Sequence, residues 1–498
     1  MKQLSPTDSV FVFNEAPTTP LHISPLLIYD PPAKGEDPVR FKDILERFAQ
    51  RLHKSPVFRR KLSRVPLDLD RPYWVEDEAF DLEYHVRHNA LPKPGDWRQF
   101  CIMLARLHNR PLDLRRPPWE AYVIEGLDNI NGIPSGSFAL YMKIHHSAID
   151  GATGGQMIEA LHDLVANPEP DDVHDDWQPE REPSSAQKLG LAYRNLFSKP
   201  NQIQAILSHA IKSRSDLIKE IVNEGVPDHG IHERTRFNQA VSAHRVLGGV
   251  RMDLADLKFI KNTVGQCTLN DVLLSIVGGT LRMYLKDKRE LPSSSLVVGV
   301  PISTRNASNI NTEGGNEVAG MRLNLRTDIA SPLKRLQAIN QDAISSKAYA
   351  SAIGVERMTT MINSLPSGLT SLGMRVMATT GLAARTPMAH TIVTNVPGPQ
   401  HPMYFCGAKA SAWIGLGCLL DGMGLFHTIN SYNGNVFLSF LACREMMPDP
   451  DVYHHCINRS IQEHLVAAQA QAKTQVRVKS KPKVKSKSKR KATAVKAP

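Results

Sequence analysis

Phe138-Ala-Leu-Tyr-Met-Lys-Ile144 runs without a break into His145-His146-Ser147-Ala148-Ile149-Asp150-Gly151. The first seven residues are apolar but for Lys143 and read as a mostly buried strand. Gly151 and Gly154-Gly155 then break the chain, and Gln156 to Val165 resumes a helical pattern. Strand, paired histidines, loop and Asp-Gly in this order predict an α/β lobe with a histidine at the end of a strand, where it can face a cleft. Histidine suits proton transfer because its unperturbed pKa, about 6.5, lies near working pH. A strand end holds such a group rigidly, and a glycine lets backbone or ligand approach closely. Neighbours on a strand point to opposite faces, so His145 and His146 are poorly placed to share one metal ion. Residue chemistry alone leaves open a structural pair, a metal site that includes Asp150, and a catalytic base.

Outward from this unit, residues 1–165 form one expected lobe. Phe41, Ile44, Leu45, Phe48 and Leu52 fall at helical spacing, as do the apolar residues of Trp97 to Leu107. Residues 166–239 begin acidic and Pro-rich and then read as crossover helices, the composition of a linker. A second lobe is expected over 240–472. It has strands near 246–252, 296–302, 391–396 and 436–441, helices at 254–263 and 269–285, and a closing helix at 451–472. Residues 473–498 hold eleven Lys and Arg and no acid, and are expected to be a disordered tail.

The 498 residues suffice for more than one core. The net charge of +11 equals the tail's surplus, so the body is formally neutral and its charge points to no nucleic acid. Six cysteines, with no CxxC pair, read as reduced thiols of a cytosolic protein. The opening Met1-Lys2-Gln3-Leu4 lacks the apolar run of a signal peptide. No stretch approaches the roughly 20 apolar residues of a membrane span. The best candidate, Ala412 to Phe426, reads as buried strand and turn.

His145-His146-x-x-x-Asp150-Gly151 is the HHxxxDG signature of the chloramphenicol acetyltransferase-like superfamily. Up to about residue 470 the chain resembles one branch, the bacterial wax ester synthase/acyl-CoA:diacylglycerol acyltransferases. The resemblance is carried by Leu4-Ser5-Pro6-x-Asp8, Phe58-Arg-Arg-Lys-Leu62, Trp74-Val-Glu-Asp77, Leu91-Pro-Lys-Pro-Gly95 and Arg116-Pro-Pro-Trp-Glu120. It continues in Leu269-Asn270-Asp271-Val272, Pro301-Ile-Ser-Thr-Arg305, Gly315-Asn316 and Asn395-Val-Pro-Gly-Pro399. Two segments depart from the pattern. The family's Pro-Leu-Trp is Pro117-Pro118-Trp119, and its Pro-Met-His-Val-Gly is Pro20-Leu21-His22-Ile23-Ser24, which bears on chain-length preference rather than on the base.

The resemblance implies two chloramphenicol-acetyltransferase-like lobes with the active-site tunnel between them. It also implies transfer of a long-chain acyl group from acyl-CoA to diacylglycerol or a long-chain fatty alcohol. His146 is then the base, acting without an acyl-enzyme, and His145 is structural. Asp150 pairs with Arg305 and fixes the fold, and Gly151 completes the motif. Asn270 and Asp271 either cap a helix or, for Asn270, help polarise the thioester oxygen. No cofactor is implied, since acyl-CoA is a substrate, and no metal. The expected setting is cytoplasmic, on the inner face of the membrane or on lipid inclusions, with the Lys-rich tail drawn to anionic lipid. No specific nucleic acid is expected. Two other readings stand beside this one: a carrier-dependent condensation domain, and a non-catalytic scaffold that binds lipid surfaces.

Overall fold

The computed structural model describes residues 1–32, 37–149, 151–169, 177–197, 231, 233–303, 318–353 and 387–479. The chain opens with β1 (Lys2–Gln3), α1 (Pro6–Asn14), β2 (His22–Tyr29), α2 (Phe41–Arg51), β3 (Arg60–Ser63) and β4 (Tyr73–Glu76). It continues through α3 (Leu82–His85), β5 (Val86–Ala90), α4 (Trp97–His108), β6 (Trp119–Glu125), β7 (Phe138–His145), α5 (Gly151–Leu161) and α6 (Ser185–Phe197). The remainder gives β8 (Arg245–Asp253), α7 (Leu254–Val264), α8 (Leu269–Asp287), β9 (Val297–Ser303), β10 (Val318–Asn324) and α9 (Pro332–Ile353). It ends with β11 (Thr391–Pro397), β12 (Tyr404–Phe405), β13 (Ala408–Leu416), β14 (Leu425–Tyr432), β15 (Asn435–Cys443) and α10 (Pro450–Lys479).

Two six-stranded sheets organise the molecule, in the orders β12-β13-β2-β7-β6-β5 and β10-β9-β11-β14-β15-β8. A small antiparallel sheet, β1-β4-β3, stands apart. β7 lies near the middle of the first sheet, antiparallel to both β2 and β6. All eight of its residues are buried, which is why it reads as a run that is apolar but for Lys143 up to His145. On one face of the sheet Leu27, Tyr29, Trp119, Leu140, Met142 and Ile144 pack against α2 and α5. On the other face Leu26, Ile28, Tyr122 and Tyr141 join α4 and the second sheet in one continuous apolar core. α7, α8 and α10 cover the second sheet through residues such as Leu257, Leu274 and Ile457.

Three features differ from the sequence-based expectations. First, Gly151 does not break the chain; it opens α5, which runs to Leu161. The small residues serve packing: a Cβ on Gly154 would sit 3.1 Å from Ile149 Cδ1, so the helix lies close against the turn that precedes it. Second, the first sheet is not built from residues 1–165 alone. β12 and β13, from residues 404–416, pair into it beside β2, so a division near residue 240 does not separate the two sheets. Third, the Lys-rich segment is not disordered from its start. α10 carries its first residues, through Lys479, as helix. Gln471 and Gln475 both donate to the Thr263 carbonyl, at 3.1 and 3.3 Å, tying the extension to the end of α7. Residues 480–498 lie outside the described residues.

Candidate active site

The site is assembled around the exit of β7. His145 is its last residue, and its backbone N–H donates to the Pro118 carbonyl at 2.9 Å. A proline at 118 keeps that carbonyl and gives up only its own amide hydrogen. The Pro117-Pro118-Trp119 departure is thus compatible with pinning the strand. Trp119 itself is fully buried, its indole N–H donating to the Phe58 carbonyl at 3.0 Å, so it is core. Past the strand the chain turns, with the Ala148 N–H donating to the His145 carbonyl at 2.9 Å.

His145 is fully buried. Its Nδ1 accepts from the Ser147 backbone N–H at 3.2 Å and lies 2.7 Å from Ser147 Oγ. That arrangement puts the ring proton on Nε2, which faces Glu15 Oε2 at 3.7 Å. Its cross-strand partner is His22. His22 is also fully buried, and burial, with smaller contributions from His108, Lys143 and His145, holds it well below the usual histidine range.

His146 is half-buried, the first residue of the turn. Its backbone N–H donates to the Leu21 carbonyl at 2.9 Å. Its ring lies flat on that of Phe11, with centroids 4.0 Å apart and planes within 3° of parallel. Phe11 belongs to α1, whose start explains the Leu4-Ser5-Pro6-x-Asp8 motif. Ser5 caps the helix by accepting the Asp8 N–H at 3.0 Å, and Pro6 occupies the first turn. Glu15, at the C-terminal end of α1, accepts the Leu21 N–H at 3.2 Å. Both histidines therefore meet the same end of α1, one through Phe11 and one through Glu15, where strand alternation predicted opposite directions. The strand stops at His145, so alternation no longer governs the next residue.

Behind the histidines lies a buried polar network that includes an ion pair. His108 Nε2 donates to the Gly417 carbonyl at 2.8 Å, and Nδ1 lies 2.8 Å from Tyr141 Oη and 3.1 Å from Ser24 Oγ. Burial pushes His108 down to about 3. Lys143 Nζ is fully buried and sits 3.4 Å from Glu120 Oε2, and burial lowers it too. A dehydrated support strengthens any electrostatic interaction made at the base.

The other predicted residues fall elsewhere or cannot be placed. Asp271 is 2% exposed and completes a capping box at the start of α8. Its carboxylate accepts the Thr268 N–H at 2.8 Å and the Asn340 side chain at 3.0 Å, and its own N–H donates to Thr268 Oγ1. Asn270, next to it in the first turn, is half-buried. Asp150 and Arg305 lie outside the described residues, as do Gly315 and Asn316. Asn395-Val-Pro-Gly-Pro399 ends β11 and packs under Trp413 of the first sheet: a Cβ on Gly398 would lie 2.8 Å from its ring. Trp413 also reaches toward Gly155 of α5, so one indole joins the two sheets beside the motif helix. Among the described residues no group of His, Cys, Asp and Glu is arranged to hold a metal. Phe11, Glu15, His22 and Trp413 escaped the sequence reading as site residues; the first three lie in or near family segments, and Trp413 lies in the Ala412–Phe426 stretch read as buried strand and turn.

The profile of the wax ester synthase/diacylglycerol acyltransferase catalytic domain matches residues 4–273, and that of the family's C-terminal domain matches residues 314–464. The chain belongs to the wax ester synthase/diacylglycerol acyltransferase family. A Mycobacterium tuberculosis protein named as a diacylglycerol O-acyltransferase is 32% identical over 487 residues, spanning 90% of this chain and 94% of that one. A second such protein from M. tuberculosis is 30% identical over 458 residues, spanning 90% and 95%. The solved wax ester synthase/diacylglycerol acyltransferase of Marinobacter aquaeolei superposes with a TM-score of 0.67 at 25% identity, covering 94% of this chain and all of that one. The first condensation domain of the calcium-dependent antibiotic synthetase superposes at 0.55 with 13% identity, a likeness of fold. This member of the family is an acyltransferase with a two-lobed α/β fold, and the condensation-domain alternative has only the shared fold behind it.

Proposed function

We propose that this family member transfers a long-chain acyl group from acyl-CoA to diacylglycerol or a long-chain alcohol, with His146 as general base. The observation that supports this most is the fixing of His146 on three sides: a buried strand behind it, the Leu21 carbonyl on its backbone and the Phe11 ring on its face. The imidazole takes the proton of the acceptor hydroxyl as its oxygen attacks the thioester carbonyl. The tetrahedral oxyanion collapses, the C–S bond breaks, and the coenzyme A thiolate regains a proton from the imidazolium. Ser147, the residue that follows His146, is 3% exposed and its hydroxyl lies against His145, which favours direct transfer over an acyl-enzyme. In this proposal His145 holds the turn and Asp271 holds the start of α8. Asp150 and Arg305 form the structural pair that the family resemblance implies.

The lipid acceptor implies contact with a membrane or lipid-inclusion surface from the cytoplasmic side. Among the described residues no helix is long and apolar enough to cross a membrane. The proposal is tested by thiol release from palmitoyl-CoA with hexadecanol and with dipalmitoylglycerol as separate acceptors, each product checked by thin-layer chromatography. Acceptor-dependent release is expected, falling by about 10²–10⁴-fold in His146→Ala, with the thermal melt unchanged. Folded wild-type protein that releases no thiol with either acceptor would sink the assignment.

A further inference from the structure

Two N–H donors converge on the carboxylate just past α1. The His145 ring N–H, on Nε2, is buried and makes no hydrogen bond among the described residues. It faces Glu15 Oε2 at 3.7 Å. The Leu21 backbone N–H donates to the other oxygen of the same carboxylate, Oε1, at 3.2 Å. Leu21 in turn accepts the His146 N–H on its carbonyl at 2.9 Å. One side chain thus meets both members of the pair: His145 through its ring, and His146 through the backbone of Leu21.

The segment between Glu15 and Leu21 is held by other contacts. Its own turn is closed by the Thr19 N–H donating to the Ala16 carbonyl at 2.9 Å. Arg245, buried at the start of β8, donates to the Thr18 carbonyl and so grips the segment from the second sheet. If Glu15 only closed this loop, one acceptor oxygen would suffice and an amide would serve as well. Two donors ask for more. A carboxylate offers two acceptor oxygens and no donor, whereas an amide in either orientation turns its NH2 toward one of the N–H groups. The 3.7 Å separation from His145 is longer than a hydrogen bond. Contacts that steer a base are often long in an unliganded site and tighten when substrate binds. The motif's own acid, Asp150, is assigned to Arg305 by the family resemblance, which leaves the orienting role to another carboxylate.

We infer that Glu15 is a positioning residue for the paired histidines. Its carboxylate takes the His145 ring N–H on one oxygen and the Leu21 N–H on the other, and so holds the turn that presents the His146 imidazole. This rests on the reading of the protein as an acyltransferase with His146 as its base. Glu15 acts through the histidines and not on the reacting atoms. Its loss therefore lowers kcat by misplacing the base and leaves acyl-CoA binding intact.

Steady-state thiol release from palmitoyl-CoA by the full-length protein tests this. Glu15→Gln is expected to lower kcat by about 10–100-fold, as far as Glu15→Ala does, with KM for palmitoyl-CoA and the thermal melt near wild type. In a His145→Gln background, whose side-chain amide offers an acceptor to its neighbour, adding Glu15→Gln costs less than about threefold, so the two losses do not multiply. A second readout does not depend on turnover. In protein carrying isotope-labelled histidine, NMR resolves the His145 ring N–H, identified by its absence in His145→Gln. That signal shifts or exchanges away in Glu15→Gln and stays in place in Glu46→Gln, which alters an exposed carboxylate on α2. Wild-type kcat in Glu15→Gln with a loss only in Glu15→Ala overturns the inference, since the side chain then merely closes the loop. So do losses that multiply in the double variant, or a His145 signal that Glu15→Gln leaves unmoved. If the wild type releases thiol with no acceptor, the acyltransferase reading has failed, and the His145 signal alone decides whether Glu15 orients the pair.

Discussion

Phe11 covers one whole face of the His146 ring, so a reacting hydroxyl must approach the ring's edge. The stack sets ring orientation, and small misplacements of a base are costly. Phe11→Ala is expected to lower kcat by about 10–100-fold while leaving KM for acyl-CoA near its wild-type value; Phe11→Trp retains most of the rate. Steady-state thiol release measures both, and a wild-type kcat in Phe11→Ala would remove the positioning role. The histidine was legible because spacing within seven consecutive residues carries it. Phe11 was not, because it lies more than a hundred residues away and a single sequence does not pair distant positions. The pairing of Asp150 with Arg305, an expectation of the same reading, concerns residues outside those described.

Elements were legible where their pattern was local. β7, α2, α4 and α8 appear within one or two residues of their expected ends, because each shows either an unbroken apolar run or a clear helical spacing. α5 was misread at its start because glycine weakens helix propensity, while close packing against Ile149 requires small residues there. α8 now offers a separation of roles. Thr268→Ala and Asp271→Ala each remove half of the capping box and should each lower stability by about 1 kcal/mol, read as a fall in the urea midpoint. Asp271→Ala should cost somewhat more, since Asn340 also loses its acceptor. If Asp271 does no chemistry, both variants keep wild-type kcat at a temperature where they remain folded; a selective loss in Asp271→Ala would reopen its catalytic role.

Across the whole molecule, histidines buried as neutral rings recur in both lobes. Burial pushes His108 and His427 down to about 3, and His162 and His464 to about 4. The unfolded chain takes up protons on these groups below about pH 6.5, whereas the folded protein does not. Stability is therefore fully present above that value and falls with decreasing pH toward the folded values, by up to about 1.4 kcal/mol per pH unit for each group. Urea midpoints measured from about pH 7.5 down to 5 should decline steadily, and His427→Gln should flatten the slope; a flat wild-type profile would contradict the neutral-core picture. The first sheet gives a second test. Residues 1–240 expressed alone lack β12 and β13 and should be insoluble, and co-expression with residues 241–498 should recover a co-purifying pair. A soluble, cooperatively melting 1–240 fragment would show that β2 tolerates an open edge.

That borrowed strand also sets an order of events on the ribosome. β2 and β7 are made early, but the neighbour that closes β2 ends at Leu416. At roughly 5–20 residues per second, about 15–50 s separate the synthesis of β7 from that of β13. Throughout that interval the nascent chain displays an apolar strand edge that cannot yet be sealed, a binding site for holdase chaperones and a template for misassembly with a neighbouring nascent chain. Codon choice upstream of residue 404 thus bears on yield, because faster translation there shortens the exposure.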